Sequence, residues 1–213
     1  MTANSPLDTR HSLTLAALDL LAERGLDAVS MRTINQAAGT RNASAVHYYF
    51  GNRDGMLRAI TEFIASELDT WRADALAELE QRAQPPTNSE VLWAAFRPYA
   101  KLYSERTYGR NALRFLARVQ HERPAARAFN DDADGPGAIH SRVVTLLQRA
   151  NPGWTSELAS GRYFLFWTLM VQGFAIDRNI EQEARDARQA TLGFFDFLLG
   201  GVEAPVGARR DGS

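Results

Sequence analysis

Apolar residues recur every three or four positions along most of this chain, and that spacing restricts the fold to helices. The clearest run begins at Leu57 and ends at Leu79, shortly before Pro85-Pro86. A repeat near 3.6 residues places these side chains on one face of a single helix of roughly eight turns. No segment shows the alternating pattern of a strand. The sequence therefore predicts an all-α protein.

Glycine and proline mark where the predicted helices begin and end. A first helix starts at Pro6 and stops at Gly25, and a second starts at Ser30 and stops at Gly39. Proline suits the first helical position, and glycine suits a left-handed C-terminal cap. The helices predicted after these cover residues 44–50 and 54–82, a helix that starts at Ser89 and carries residues up to Tyr103 with a kink at Pro98, and residues 113 to about 124, 139–150, 155–179 and 182–200. Residues 130–137 are predicted to form a loop.

Composition excludes several classes of protein and suggests no partner by charge. The chain has 213 residues, a formal net charge of −1 and no cysteine, so thiol catalysis, disulfides and thiolate metal sites are excluded. No stretch is long and apolar enough to span a bilayer, and the N-terminus does not have the order of a signal peptide. We expect a cytoplasmic protein without a cofactor. Because the charge is close to zero, any basic surface for nucleic acid has to be local.

Residues 30–50 have the pattern of a helix-turn-helix, two short helices joined by a polar glycine turn. In that motif the second helix lies in the major groove and presents its N-terminal side chains to the bases. Arg41, Asn42 and Ser44 stand at the start of this helix, and His47, Tyr48 and Tyr49 follow. These side chains can hydrogen-bond phosphates or base edges. The core of the unit is predicted to be Leu21, Ile34, Ala37, Val46 and Phe50.

About fifty N-terminal residues agree in order with one family of bacterial regulators. The matching segments are Thr9-Arg10, Ala16-Ala17-Leu18-Asp19-Leu20-Leu21-Ala22-Glu23-Arg24-Gly25, Ser30-Met31-Arg32-Thr33-Ile34, Ala37-Ala38-Gly39 and His47-Tyr48-Tyr49-Phe50-Gly51-Asn52-Arg53-Asp54-Gly55-Met56-Leu57. This stretch resembles the DNA-binding domain of the TetR (tetracycline-repressor-like) family. After about residue 65, only the general plan of helices is similar.

The resemblance implies roles for residues of the N-terminal domain. It implies that Ser30 and Arg32 meet phosphates, with contact to a base as a further option. It also implies that the third helix reads the major groove and that Arg53 pairs with phosphate from a helix N-terminus. His47 stands where a phosphate-binding tyrosine is usual. The segment from Gly39 to Phe50 is one residue longer than the commonest pattern, so the turn or the start of the third helix differs. The resemblance implies two domains, a DNA-binding domain over 1–53 and a ligand-binding and dimerisation domain over 54–202. The Gly/Ala/Pro/Arg composition from Glu203 onward predicts a disordered tail over 203–213.

The last two predicted helices are apolar on more than one face. A helix of this kind is buried on two sides, either in the core or against a partner subunit. The resemblance implies the second arrangement, a homodimer formed through these two helices. It also implies an effector pocket, for which the sequence offers candidates, with Gln172, tyrosine or arginine side chains to orient the ligand. The candidate lining residues are Trp71, Trp93, Phe96, Tyr99, Tyr103, Phe115, Trp167, Met170 and Phe174.

Sequence patterns for an enzyme or a metal site are weak. The four histidines have no metal-ligand spacing, and no phosphate loop or nucleophile elbow is present. Asn130 to Gly135 imitates half of a calcium loop, but Ser141 occupies the position that requires a bidentate glutamate. The function predicted is a ligand-responsive transcriptional regulator, a repressor, that binds double-stranded palindromic DNA as a homodimer and is released by an apolar or aromatic small molecule. The alternative is an all-α small-molecule-binding protein without DNA-binding activity.

Overall fold

A computed structural model describes residues 6–40, 42, 44–120, 136–176 and 184–205, and all regular structure in these ranges is helical. The prediction of an all-α fold is confirmed. The helices are α1 (Pro6–Arg24), α2 (Met31–Ala37), α3 (Ala45–Phe50), α4 (Arg53–Gln81), α5 (Asn88–Glu105), α6 (Gly109–Val119), α7 (Pro136–Ala150), α8 (Ser156–Ala175) and α9 (Ala184–Glu203). Helices α1 to α3 form the N-terminal head. In the C-terminal domain α4 packs against α5 and α7, and α8 packs against α6, α7 and α9.

The helix ends follow from local chemistry that is visible in the sequence. The Ser30 hydroxyl accepts a hydrogen bond from the Thr33 backbone N–H at 3.1 Å, which caps α2. Gly25 and Gly39 have φ values of +95° and +65°, as expected for residues that end a helix in the left-handed region. Helix α5 begins with a capping box, in which Thr87 and Glu90 each bond the backbone N–H of the other.

Several predicted boundaries shift. Helix α8 ends at Ala175, four residues before its predicted end, and α7 begins at Pro136, inside the predicted loop. Helix α5 continues through Pro98. Helix α9 reaches Glu203, the first residue of the predicted tail, and residues 206–213 of that tail lie outside the described residues. His121 and the calcium-like segment 130–135 also lie outside them.

Arginine side chains cap the C-terminal ends of helices that neighbour their own. Nε of Arg118 on α6 donates to the Ala22 carbonyl near the end of α1 at 3.2 Å. Arg149 on α7 donates to three carbonyls at the end of α4, those of Leu79, Glu80 and Arg82. Arg162 on α8 donates to the carbonyls of Val202 and Ala204 at the end of α9. The last carbonyls of a helix lack intrahelical partners and carry partial negative charge, so a guanidinium satisfies them well.

Side-chain hydrogen bonds from α6 reach α1 and help to join the head to the C-terminal domain. One is the Arg118 cap on α1, and another is a hydrogen bond of 2.9 Å from Asn111 to Asp19. The start of α6 lies very close to the backbone of α5, since a Cβ added at Gly109 would be 1.8 Å from the Leu102 carbonyl oxygen. The head therefore contacts the C-terminal domain through α6 as well as through the continuous helix α4.

Candidate nucleic-acid interface

The predicted DNA-binding residues lie on α2, on α3 and at the start of α4. Ser30, Arg32, Asn42, Ser44 and His47 are exposed. Tyr48 is the most exposed of the large apolar or aromatic side chains in the described chain, at 80%. Tyr49 and Arg53 are half-buried, and Arg41 lies outside the described residues. One end of the head therefore presents most of the predicted side chains to solvent.

A buried asparagine organises the turn between α2 and α3. The Asn35 side chain, only 4% exposed, accepts a hydrogen bond from the Val46 backbone N–H at 3.1 Å through Oδ1. The Thr40 hydroxyl donates to the Asn35 carbonyl oxygen at 3.2 Å, and the Thr40 N–H donates to the same oxygen. Asn35 thus links α2, the turn and the first turn of α3. This role was not predicted from the sequence, because an asparagine in a short helix resembles a solvated one.

The polar residues before α3 form hydrogen bonds within the turn. Oδ1 of Asn42 accepts from the Ser44 N–H at 2.9 Å, and the Asn42 carbonyl accepts from the Ala45 N–H. This local arrangement is an Asx turn, which holds the chain ready to enter the helix. The Ser44 side chain makes no capping bond, so its hydroxyl stays exposed at the helix start.

The ring of His47 is oriented by the backbone of the next turn. Its Nδ1 lies 3.0 Å from the Gly51 carbonyl oxygen. Because a carbonyl only accepts, Nδ1 carries the proton in this contact. In the neutral ring Nε2 is then an acceptor, so His47 can accept a hydrogen bond from a base amino group.

The two tyrosines of α3 differ in their surroundings. Tyr49 packs against the core, with its ring 6.5 Å from that of Phe50, whereas Tyr48 contacts Tyr49 edge-on and points outward. Tyr48 is therefore available for contact with DNA, and Tyr49 is mainly a packing residue. In the predicted core of the head, Leu21, Ile34, Val46 and Phe50 are buried. Ala37 is exposed, so its assignment to the core was wrong.

Arg53 begins α4 and forms an ion pair with Asp27 in the loop after α1. Nη2 of Arg53 lies 2.9 Å from Oδ1 of Asp27, whose side chain is almost fully exposed. An exposed pair of this kind is worth little, so a phosphate can replace the carboxylate. The preceding Asn52 caps α4 by accepting from the Gly55 N–H at 2.9 Å.

The Asn35 amide is expected to contribute more to stability than its exposed neighbour Asn42. Asn35→Ala leaves a buried N–H on Val46 without its acceptor, at a cost of about 2 kcal/mol in the free energy of unfolding. The control Asn42→Ala removes a solvent-exposed bond and is expected to cost less than about 1 kcal/mol. Urea denaturation of both variants measures the difference. Equal losses would show that Asn35 does not organise the turn.

The nine predicted effector-binding residues are buried in the core or half-buried against it. Phe96, Tyr99, Phe115 and Met170 are buried in the core. The Trp71 ring makes cation–π contacts with Lys101 and Arg106, and Lys101 Nζ lies 4.7 Å from the ring centre. The remaining candidates, Trp93, Tyr103, Trp167 and Phe174, are half-buried against the core.

A cleft of about 530 Å³ opens elsewhere, where the head meets the C-terminal domain. It is lined by Ala22, Glu23, Arg114, Ala117, Arg118, Gln172 and Ala175, which belong to α1, α6 and α8. Of the individual residues named to orient or line a ligand, only Gln172 is among them. Its amide donates to the Ala117 carbonyl at 3.1 Å, so it also joins α8 to α6.

The described residues contain no group of three or more His, Cys, Asp or Glu side chains that could hold a metal ion. None of the helices in the described ranges is long and apolar enough to cross a membrane.

These features define a helix-turn-helix protein with a helical C-terminal domain. Residues 13–60 match the family model described as bacterial regulatory proteins, tetR family. This match covers the N-terminal head and the start of α4, and the described chain shares its fold with solved structures of TetR-family regulators. The family model that matches residues 13–60 describes the DNA-binding part of bacterial regulatory proteins.

Solved structures with this fold cover nearly the whole chain at low sequence identity. The fatty acid degradation regulator FadR from Bacillus halodurans matches with a TM-score of 0.63 and 13% identity, over 96% of this chain and 100% of that one. NalD from Pseudomonas aeruginosa is the secondary repressor of the MexAB-OprM multidrug efflux pump. It matches with a TM-score of 0.62 and 16% identity, over 92% of this chain and 98% of that one. PfmR from Thermus thermophilus matches with a TM-score of 0.59 and 15% identity, over 90% of this chain and 99% of that one. No curated protein matches the sequence.

Proposed function

We propose that this protein is a homodimeric repressor that binds a palindromic operator and is released by a small molecule. The observation that carries the proposal is the outward-facing α3 of a head that matches the tetR family model. Two such heads in a two-fold dimer would bind half-sites one helical turn apart, or a small multiple of that distance. Support comes from proteins of similar fold, since FadR is a regulator and NalD is a repressor.

The dimer is proposed from an apolar face on α8 and α9. Six of the seven exposed large hydrophobic side chains of the described chain lie on these helices or directly after α8. They are Phe164, Leu165, Leu169, Ile176, Leu192 and Phe197. Glycines accompany them, and a Cβ added at Gly161, Gly193, Gly200 or Gly201 would meet no atom within 4 Å. An exposed apolar patch with room for close backbone approach is typical of a subunit interface.

The effector is proposed to act through α4, which runs without a break from the head into the C-terminal domain. This helix has 29 residues and a length of roughly 44 Å. A ligand that moves its C-terminal half changes the position of α3, because α4 begins three residues after α3 ends. Coupling between two sites is typically about 1–3 kcal/mol, which corresponds to a roughly 5–150-fold loss of operator affinity.

The experiment that tests DNA recognition is a selection of fragments from a random duplex library by the purified full chain, at two salt concentrations. We expect a palindromic consensus, and weaker recovery at the higher salt because phosphate contacts release counterions. If a folded dimer recovers nothing above background, the proposal fails and the alternative, a small-molecule-binding protein without DNA-binding activity, is supported.

Arg32 is expected to contact a phosphate. It is exposed one residue inside the N-terminus of α2, where the partial positive charge of the helix favours an anion. Arg32→Ala should weaken binding to all sequences nearly equally and reduce the salt slope by about one. The control Arg97→Ala removes an exposed arginine of α5, far along the chain from the head, and should leave both quantities unchanged. An Arg32→Ala variant with normal affinity and slope would remove this residue from the interface.

A further inference from the structure

One charged side chain is buried in the described part of the C-terminal domain, and it is Arg72 of α4. Its exposed fraction is 4%. A guanidinium stays protonated in proteins, so its charge is buried with it. Removing such a charge from water costs several kcal/mol unless well-placed anionic partners compensate.

Arg72 is paired with only one of the two carboxylate oxygens of Asp69. Nε of Arg72 lies 2.7 Å from Oδ1 of Asp69, and Nη2 lies 2.5 Å from the same oxygen. Nη1 takes part in neither contact. Asp69 is itself partly exposed, at 38%. A guanidinium matches a carboxylate best when two nitrogens face two oxygens, so this pair uses only part of the binding capacity of Arg72.

Aromatic side chains from two other helices lie near this charge. Tyr99 of α5 and Tyr163 of α8 are both buried in the core near Arg72. Nε1 of Trp167 donates to the Tyr99 hydroxyl at 3.0 Å, so α5 and α8 meet beside Arg72. The His140 ring lies 5.2 Å from that of Tyr163, and burial lowers the pKa of His140, which favours the neutral ring.

We propose that Arg72 binds the carboxylate of an effector whose remaining surface is apolar or aromatic. The inference rests on the proposed function, in which the C-terminal domain senses a small molecule, and it names the chemical class of that molecule. The ligand carboxylate replaces Asp69 as the ion-pair partner of the guanidinium, and the apolar part of the ligand packs among Tyr99, Tyr163 and Trp167. Arg72 and Asp69 both lie on α4, so the exchange acts on the helix that leads to the head.

The test uses matched acids and amides on the full chain without DNA. The probes are benzoate, 3-phenylpropanoate and octanoate, together with their three primary amides, which keep the shape and lose the charge. We expect at least one acid to raise the melting temperature and change the tryptophan fluorescence, with its amide binding roughly tenfold more weakly or worse. The preference is expected to disappear in Arg72→Met and to persist in Arg97→Met, the matched exposed control.

A second variant separates a binding role from a structural one. Arg72→Met is expected to fold, because a buried ion pair replaced by an apolar side chain is often tolerated. Asp69→Asn removes the competing carboxylate, so the acid should bind more tightly by severalfold. A structural pair would give the opposite result, a less ordered site and weaker binding.

The inference is overturned if none of the six probes binds, if amides bind as tightly as acids, or if Arg72→Met retains the preference. It fails separately from the proposed function. Acid binding through Arg72 in a protein that selects no DNA would reject the proposed function alone. Release of a selected operator by the amides and not by the acids would reject the role of Arg72 alone.

Discussion

Replacing Phe197 with aspartate is expected to convert the proposed dimer into a monomer. Phe197 of α9 is 71% exposed, the most exposed of the six apolar side chains proposed to form the dimer face, which include Leu165 and Leu169 of α8. Burying a phenylalanine contributes about 2 kcal/mol to the free energy of association. In a two-fold dimer each subunit buries its own Phe197, so the contribution is made twice. The substitution also places unpaired charges in an apolar interface. The dissociation constant of the dimer should therefore rise by roughly a thousandfold or more.

Sedimentation equilibrium over a range of protein concentrations measures this change directly. The same variant should lose most of its operator affinity, because two linked heads bind far better than two separate ones. The control Gln84→Asp adds the same charge at an exposed residue between α4 and α5 and should remain dimeric. A Phe197→Asp protein that is still dimeric at micromolar concentration would show that this face is not the interface.

Gly55→Ala is expected to unfold the junction between the recognition helix and α4. A Cβ at this position would lie 2.1 Å from the backbone carbonyl oxygen of Phe50, the last residue of α3. No rotamer change relieves a clash with backbone, so α3 and α4 must move apart. The movement disturbs the packing of Phe50 and the Asn52 cap on α4. We expect a loss of about 3 kcal/mol in the free energy of unfolding, and a much weaker affinity for DNA.

Thermal and urea denaturation of the full chain test this expectation, with hydrogen exchange to locate the effect in α3 and the first turn of α4. Gly153→Ala is the control, since a Cβ there would meet no atom within 4 Å. Normal stability and normal exchange in Gly55→Ala would mean that the close approach of the two helices is not required.

The sequence allowed prediction of those parts of the fold that depend on local chemistry. Ser30, Gly25 and Gly39 have their expected capping and turn conformations because each depends on a few neighbouring residues. The exposed polar residues of the head could also be selected, since they follow a recognisable order. Ala37 was assigned wrongly because a short helix carries too few turns for its buried face to be defined by spacing alone.

The features that the sequence did not reveal depend on distant contacts. Arg72 stands four residues from both Leu68 and Leu76, which are buried, so its place in the apolar stripe of α4 was a signal of burial. That signal was masked by Trp71 beside it, which instead lies half-buried beneath Lys101. Which aromatic side chains are core and which are accessible depends on how α5, α8 and α9 pack together. Periodicity within a single helix does not contain that information.

The arginine caps on α1, α4 and α9 have a consequence for how this protein can change in evolution. Each cap binds main-chain carbonyls, as Arg118 does at Ala22, and these carbonyls remain whatever side chains the capped turn carries. The capped turns are therefore free to vary in sequence, while the arginines that reach them are not. Lysine has no planar fork with which to reach several carbonyls at once, as Arg149 does at the end of α4. In homologous chains that share these junctions, we expect the arginines to persist while the turns that they cap diverge.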